Sequence, residues 1–467
     1  MRHFAKLAVA LLAGAMIVTP AVAQEKEAPP VGSEPRGFDL PKIESYTLRN
    51  GMEVTLVPFG RVPKAFVLGA VQVGNLHDGD TPWISDLAAD MMAEGAGGKS
   101  ASEIALEAAL MGGDVNVGVG LDQTTVSMDV LSESVPDAIE LIASVLQQPN
   151  FPEGEFGRIQ QNRLRNISIG ATQPGTIAQD AFTKSLYPNH PYSTATLPDA
   201  ETFAALTLED AKAFHGANFG AKRTHLFVVG QFDRREVKRA VSDAFRRWGG
   251  GPDPLDLAPA MPEGPEVKLV DRPGAVQSTI RLGKRVPPVD QTLDLEGADT
   301  ILGGYFSSRI TRNIREDKGY TYSPNSAISL EKGAAYWRQN ADITSEATGP
   351  ALAEVIKEIR GLQDAPPPDD EMRGIKNYMN GIFVIQLASR FGVANRLSFV
   401  NLHGLGTEYL ENYVSTVEAL TPQSVQDAAK EHLAINEMSL TVVGDLASVR
   451  PQLEALPDFA DQLPPTE

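Results

Sequence analysis

The sequence predicts an α+β fold of two homologous α/β sandwich domains that arose by internal duplication. Each half of the chain has strand patterns first, then helical patterns, then strands again. This order favours a mixed, largely antiparallel sheet with helices on one face. Several matching residues of the two halves are also separated by a nearly constant number of positions. One such match could occur by chance, but several with nearly the same separation indicate a duplication. The matching pairs are Leu56/Leu269, Arg158/Arg373, Asn162/Asn377, Thr207/Thr421 and Gly230/Gly444.

The first half shows the predicted order of elements most clearly. β-branched and alternating residues predict strands at 54–57 and 66–73 and a hairpin at 114–130. Apolar residues at helical spacing predict helices at 82–93, 101–111, 134–147 and 154–169. Thr81 is the expected N-cap of the first helix, with Pro82 as its first helical residue.

Two segments rich in structure-breaking residues divide the chain. Residues 24–42 are rich in Pro, Glu and Gly, and residues 249–266 contain a Gly-Gly-Gly-Pro run and further prolines. A length of 467 residues also exceeds one ordinary domain. The predicted organisation is a signal peptide at 1–23, a disordered lead at 24–42, an N-terminal domain at 43–248, a linker at 249–266, a C-terminal domain at 267–456 and a tail at 457–467.

The first residues have the pattern of a secretory signal. Arg2 and Lys6 precede an apolar run at 7–18, and Ala21-Val22-Ala23 supplies small residues for cleavage after Ala23. The run is short for a bilayer span, so cleavage is preferred over a retained anchor helix. We therefore expect an exported, periplasmic protein with no membrane anchor after cleavage.

Composition narrows the functional classes further. The chain is 42% hydrophobic and 22% charged, which is typical of a folded globular protein. A net charge of −19 argues against nucleic acid as a partner. The chain has no cysteine, which excludes disulfides, thiol catalysis and thiolate metal sites.

The first predicted helix carries the most informative motif. Asp86 and Asp90 are one helical turn apart and share a helix face, and Ala89 lies between them in sequence. Residues 81–95 resemble a segment of the insulinase/pitrilysin peptidases with the form G-L-A-H-L-L-E-H-M-M-F-E-G-T. In that family the two His bind zinc and the Glu activates a water. Aligned on the shared Met-Met and Glu-Gly, Asp86 and Asp90 replace the two His, and Ala89 replaces the Glu.

The resemblance also implies a third zinc ligand, a Glu that lies further along the chain on another helix. The matching helix here covers residues 156–165, and no acidic residue occurs between Phe156 and Gln179. Two carboxylates could hold a hard cation through oxygen, but only two ligands are present. The histidines include no pair at helical spacing. We therefore expect no metal in this chain.

The second half keeps a different block of the family pattern. Residues 302–310 and 314–323 resemble the family's L-G-G-x-x-S-S-R-L and L-R-E-x-x-G-x-x-Y blocks. The pattern predicts a helix from about Phe306 to Lys318, with Gly319 as its C-cap, followed by a strand that carries Tyr322. The resemblance implies that Arg315 and Tyr322 bind the substrate peptide and support the carbonyl oxygen as it becomes negative.

Together these observations predict a zinc-less subunit of a heterodimeric zinc metallopeptidase. A homologous partner would carry H-x-x-E-H and the zinc, and this chain would act in trans on a peptide through Arg315 and Tyr322. An alternative is a pseudoenzyme that binds or scaffolds and has no role in proteolysis. A homodimer with an unrecognised catalytic group is a third, weaker possibility.

Overall fold

The computed structural model describes residues 40–465, which contain two main sheets and a small two-stranded sheet. The expected signal peptide and most of the expected lead lie outside the described residues. No helix within 40–465 has the length and apolar character that crossing a bilayer requires.

The strands and helices of the first half form the first sheet and its cover. The strands are β1 (Glu44–Thr47), β2 (Glu53–Pro58), β3 (Lys64–Val71), β4 (Gly95–Ala96), β5 (Lys99–Ser100), β6 (Asn116–Val119), β7 (Thr124–Leu131) and β8 (Thr224–Gly230). The helices are α1 (Ile84–Ala93), α2 (Ala101–Leu110), α3 (Val135–Gln147), α4 (Glu153–Gly170), α5 (Pro174–Leu186), α6 (Ala200–Ala204), α7 (Leu208–Asn218) and α8 (Arg234–Phe245).

The second half follows a segment at 249–266 that contains no helix or strand. Its strands are β9 (Val267–Asp271), β10 (Gln277–Val286), β11 (Asn325–Glu331), β12 (Ala334–Thr344) and β13 (Ser439–Gly444). Its helices are α9 (Leu293–Asp299), α10 (Thr348–Asp364), α11 (Asp369–Gln386), α12 (Arg390–Leu402), α13 (Glu408–Ala419), α14 (Pro422–His432) and α15 (Leu446–Glu454). Two π-helical segments, Thr300–Gly304 and Thr311–Asp317, follow α9.

The two main sheets have the same strand topology. The first has the order β1-β2-β8-β3-β7-β6, and the second has the order β11-β12-β10-β13-β9. If β1 is set aside, the first order matches the second in reverse, with β2 for β9 and β8 for β13. The only parallel pairs in these two sheets, β2 with β8 and β9 with β13, are also equivalent. This match confirms the expected fold of two homologous, largely antiparallel sandwiches.

The strand β3 shows how the halves pack together. Its residues alternate between two cores: Val67 faces the helices of its own half, with Leu87 of α1 and Ile139 of α3. Phe66 lies on the opposite face, in a cluster with Leu397 of α12. Because both faces are buried, nearly the whole strand is apolar rather than alternating.

The second sheet is covered in a reciprocal way. Trp337 of β12 is fully buried in a core with Leu352 of α10, which belongs to the same half. The other face of the sheet receives α5 from the first half, which lies against β10 and β13. On that side the ring of Phe182 meets the ring of Tyr336 edge-on, with centroids 5.9 Å apart. Each half therefore covers the face that the other half leaves open.

Candidate functional site

The start of α1 differs from the sequence expectation. The helix begins at Ile84, not at Pro82, and its N-cap is Trp83 rather than Thr81. The cause is Asp78, a buried side chain outside the helix, whose carboxylate accepts hydrogen bonds from the amides of Trp83 (2.8 Å) and Ser85 (3.0 Å). These bonds satisfy amides that a conventional N-cap would serve.

Trp83 is held in the left-handed backbone region, at φ 66°. Its indole nitrogen donates a hydrogen bond to the carbonyl of Ala195 at 2.8 Å, and its ring meets Phe203 edge-on. A bulky residue rarely adopts this conformation without compensating contacts. The contacts fix the first turn of α1 and with it the direction of the aspartates that follow.

Asp86 and Asp90 share one guanidinium from α4. Nε and Nη2 of Arg163 lie 2.6 and 2.9 Å from the two carboxylate oxygens of Asp90, and Nη1 lies 3.1 Å from Asp86 Oδ1. The Arg163 side chain is 23% exposed, and those of Asp86 and Asp90 are 15% and 32% exposed. We call these three residues the aspartate–arginine cluster.

The second oxygen of Asp86 is also occupied. Asn75 Nδ2 donates to Asp86 Oδ2 at 2.7 Å, and the same amide group reaches Asp78 and Ser85 at 3.1 Å. Burial raises the pKa of Asp86 above its usual range, and the positive charge of Arg163 opposes that shift. The neighbouring Ala89 is buried and has no group that could move a proton.

Arg315 forms a second, separate site. Its guanidinium carbon lies 4.4 Å from the ring centroid of Phe306 and 5.0 Å from that of Tyr322. Phe306 is 64% exposed and Tyr322 is 79% exposed. Within residues 40–465, no carboxylate lies close enough to Arg315 to form an ion pair. The half-buried guanidinium therefore lies over two exposed rings, a common cation–π arrangement.

The secondary structure around Arg315 corrects the predicted helix. Instead of one helix from Phe306 to Lys318, a turn occupies 305–308 and the helical part starts at Arg309. From Thr311 to Asp317 the backbone is a π-helix, and the amide of Lys318 bonds to the carbonyl of Asn313 at 3.0 Å. Gly319 adopts φ 67° at the end, as expected of a C-terminal glycine.

Tyr322 lies before a strand and not within one. Only Thr321 bridges to β12, opposite Ile343, and its hydroxyl donates to the carbonyl of Asp342 at 2.6 Å. Strand β11 begins only at Asn325. The anchored Thr321 holds the backbone while the Tyr322 ring projects into solvent.

The Gly-Gly pair of the same block has a steric role. A Cβ on Gly303 would lie 2.5 to 2.9 Å from atoms of Ser326 on β11, and one on Gly304 would lie 2.8 Å from Asp299 Oδ2. Both glycines therefore let the first π-helical segment, Thr300–Gly304, approach β11 and the end of α9 closely. Such segments are frequent at functional sites.

The two family models that match the chain cover complementary parts of it. The model for insulinase (peptidase family M16) matches residues 64–199, and the model for the peptidase M16 inactive domain matches residues 205–379. This chain belongs to the insulinase-like M16 peptidase family. The matched ranges include both the aspartate–arginine cluster and the Arg315 site.

Curated M16 relatives extend the match over most of the chain. The uncharacterized zinc protease YmxG of Bacillus subtilis is 26% identical over 74% of this chain and 85% of its own length. An uncharacterized zinc protease of Streptomyces coelicolor is 24% identical over 74% of this chain and 77% of its own.

Solved structures share the M16 fold. A peptidase M16 inactive domain from Pseudomonas fluorescens superposes with a TM-score of 0.81 at 24% identity, over 86% of this chain and 98% of that one. A protease from Helicobacter pylori gives a TM-score of 0.81 at 20% identity, over 87% and 100%.

The residues of this M16 chain do not fit the family's zinc. Asp86 and Asp90, which the sequence resemblance aligns with the two His, share the guanidinium of Arg163, which offsets one of their two negative charges. Within residues 40–465, no group of three or more His, Cys, Asp or Glu side chains could hold a metal ion. The chain is thus a family member that lacks the zinc motif, which supports a non-catalytic M16 protein.

Three contributors to these sites have no signal in the sequence. Arg163 lies in the helix where the family resemblance places a Glu, but a basic residue there matches no part of that motif. Asn75 belongs to no motif, and Phe306 occupies an unspecified position of its block. Among the described residues, no hydrogen bond, ion pair or ring contact joins the aspartate–arginine cluster to the Arg315 site.

Proposed function

We propose that this chain is the zinc-less subunit of a periplasmic, heterodimeric M16 metallopeptidase. Its partner would be a homologous chain that carries H-x-x-E-H and the zinc. This chain would bind the peptide and support its carbonyl oxygen in trans through Arg315 and Tyr322. The observation that carries the proposal is the contrast between two arginines. Arg163 is paired with two carboxylates, whereas Arg315, which is half-buried to a similar degree, has no acidic partner among the described residues and lies against two exposed rings.

The stacking of Arg315 suits it to act on a peptide. Contact with two rings restrains the guanidinium, and its N–H groups donate to no acceptor among the described residues, so they are free to donate to a peptide. A fixed donor of this kind stabilises an oxygen on which negative charge develops. The exposed hydroxyl of Tyr322, next to the same guanidinium, can supply a second donor.

The aspartate–arginine cluster explains how the rest of the site persists without a metal. Where the family has a cation and its ligands, this chain has a guanidinium and two carboxylates, which join α1 to α4. The packing of those helices therefore needs no bound ion. Zinc would be supplied by the partner only, where it would activate the attacking water.

Reconstitution with the partner tests this function. Purified alone, the chain should cleave no peptide and should hold no stoichiometric zinc, yet it should raise the turnover of an H-x-x-E-H partner. Arg315→Ala should lower kcat of the assembled pair by roughly 100-fold, as loss of one transition-state donor does. Tyr322→Phe should lower kcat in the same direction while the pair still assembles.

Matched controls lie in the same segment. Arg312 is exposed on the same π-helical segment, and among the described residues it donates only to the carbonyl of Ser307, so Arg312→Ala should leave kcat unchanged. Tyr320 packs against the core through its ring, so Tyr320→Phe should also be neutral. If the assembled pair had the same kcat with Arg315→Ala as with Arg312→Ala, the chain would act as a scaffold, and the proposed role of Arg315 in trans would be wrong.

A further inference from the structure

A cavity of about 320 Å³ lies between β11 and the helices α9, α11, α12 and α13. Its volume is near the lower limit for small-ligand pockets, so it suits one side chain rather than a folded segment. Its ionisable lining consists of Glu296 and Asp299 from α9 and Arg396 from α12, with tyrosines at the rim and wall. We call it the α9 pocket.

The α9 pocket has one more negative group than positive groups. Arg396 is the only basic residue in the lining, and its guanidinium donates to Gln386 and lies over the ring of Phe399. Among the described residues, neither Glu296 nor Asp299 forms an ion pair. If both carboxyls are ionised, a single additional cation would balance the charge of the lining.

Several polar groups in the pocket have no partner within residues 40–465. Glu296 Oε1 accepts from Thr292 at 3.3 Å, but no described group bonds to its Oε2. The hydroxyls of Tyr409 and Tyr413, which also line the pocket, make no hydrogen bond to a described residue. Burial raises the pKa of Glu296 to about 7, and the positive charge of Arg396 opposes that shift only in part.

Aromatic rings make up much of the remaining wall. Tyr378, Phe399, Tyr409 and Tyr413 all line the cavity, and the ring of Tyr413 stacks on Phe383 at 4.3 Å. Faces of such rings attract ammonium and guanidinium groups, and their edges exclude water from a long alkyl stem. Carboxylates together with aromatic faces favour a basic side chain over an acidic or purely apolar one.

Ring contacts link the lining of the α9 pocket to the Arg315 site. Tyr378 at the rim meets the ring of Tyr305 with centroids 5.2 Å apart, and the next residue, Phe306, stacks on Arg315. Ile382 and Ile385 continue an exposed apolar stripe along α11, at 37% and 68% exposure. A peptide bound at Arg315 would therefore pass the mouth of the pocket.

We infer that the α9 pocket binds one basic side chain, Arg or Lys, of the substrate peptide. The inference rests on the proposed peptide-binding role and adds a substrate class to it. The overall acidity of the chain, at −19, would also attract such peptides. Glu296 would pair with the cation, and the tyrosine rings would enclose its stem.

The test uses the isolated full-length chain and two fluorescein-labelled decapeptides. They share one sequence of small and apolar residues and differ only at the centre, where one has Arg and the other has citrulline, its uncharged isostere. Fluorescence polarisation should show roughly tenfold tighter binding of the Arg peptide, because pairing with a partly buried charge is lost in citrulline. Equal affinity for the two peptides would overturn the inference.

Variants assign the preference to the pocket. Glu296→Gln should reduce the Arg-over-citrulline ratio to near one, whereas Glu431→Gln, the same change at an exposed site on α14, should keep it. Ile382→Trp, at the rim on an exposed helix face, should block both peptides without unfolding the chain. A ratio that survives Glu296→Gln would show that the cation binds elsewhere.

Further measurements identify the ligand of the pocket and separate this inference from the proposed function. If N-acetylargininamide bound as tightly as the Arg peptide, the pocket would serve a free amino-acid derivative, and the peptide assignment would be wrong. No partner or turnover enters these measurements, so the pocket can fail while Arg315→Ala still lowers kcat of the pair. Conversely, Arg315→Ala can prove neutral while the Arg peptide still binds the α9 pocket.

Discussion

Arg163 and Asp90 form a two-point ion pair between α4 and α1, with Nε 2.6 Å from Oδ2 and Nη2 2.9 Å from Oδ1. The same guanidinium reaches Asp86. One permanent positive charge of the chain thus lies between the two side chains that the sequence resemblance aligns with zinc-binding His. In that alignment, the guanidinium stands where the family has a metal ion.

The first prediction concerns the stability that Arg163 provides. Arg163→Met should lower the free energy of unfolding by about 2 kcal/mol, because it leaves two carboxylates one helical turn apart without their counter-ion. Arg165→Met, on the exposed side of α4, should cost less than about 0.5 kcal/mol. Urea denaturation measures both values. Equal losses would show that the cluster adds no stability.

The second prediction is that removing the guanidinium creates a weak cation site. In Arg163→Ala, Asp86 and Asp90 offer carboxylate oxygens on one helix face, which suits a hard divalent cation. Millimolar calcium should raise the Tm of this variant by about 2–4 °C, reversibly on chelation, through binding to the folded state alone. The same calcium should leave wild-type Tm within about 1 °C. An equal rise in Tm for the variant and for wild type would show that Arg163 does not prevent a cation from binding to Asp86 and Asp90.

The sequence predicts which zinc ligands are missing, but it does not predict the residue that pairs with Asp86 and Asp90. Asp86, Ala89 and Asp90 are recognisable because they occupy a short motif on one helix. Arg163 lies on a different helix, and its role depends on how α4 packs on α1, which no local pattern contains. The predicted start of α1 is wrong for the same reason, since Asp78 caps the helix from outside it.

The third prediction tests the close approach of the first π-helical segment, Thr300–Gly304, to β11. Gly303→Ala should destabilise the protein by about 2 kcal/mol, because the new methyl group would lie 2.5 Å from Ser326 Oγ. Gly374→Ala is the matched control on α11, where an added Cβ meets no atom within 4 Å. That change should stabilise by up to about 1 kcal/mol, since it favours the helix. Thermal and urea unfolding should therefore shift in opposite directions for the two variants.

The second half shows a similar division between what the sequence can and cannot predict. The block containing Arg315 and Tyr322 is identifiable from its motif, and the structure stacks these two residues as neighbours. The π-helical backbone of Thr311–Asp317 is not predictable from that block, because the motif contains no signal for π-helix. The close approach of Gly303, in the other π-helical segment, to Ser326 is not predictable either, since Ser326 lies on a strand that comes later in the chain. Phe306 has no signal either, since an exposed ring between two motif residues is not periodic.

The last prediction concerns pH and the contact between the two halves. The Tyr187 hydroxyl, from the first half, donates to Glu331 Oε2, at the end of β11, at 2.9 Å. Glu331 is 5% exposed, and burial raises its pKa to about 7 from the ordinary 4.5. The folded protein therefore keeps a proton between pH 4.5 and 7 that the unfolded chain releases. Stability from this group must fall as pH rises through that window.

Glu331→Gln should remove this dependence, because glutamine can still accept the Tyr187 hydroxyl and carries no charge. The unfolding free energy of the variant minus that of wild type should increase by about 2 kcal/mol between about pH 5 and 7.5. Burial lowers the pKa of His77 and of His403 to about 4, so these two residues make the free energy of unfolding rise with pH. Both histidines are present in the variant and in wild type, so their effect cancels when the two free energies are subtracted. Glu431→Gln is the exposed control. A flat difference for Glu331→Gln would mean that the carboxylate is already ionised in the folded protein, with Tyr187 as its donor.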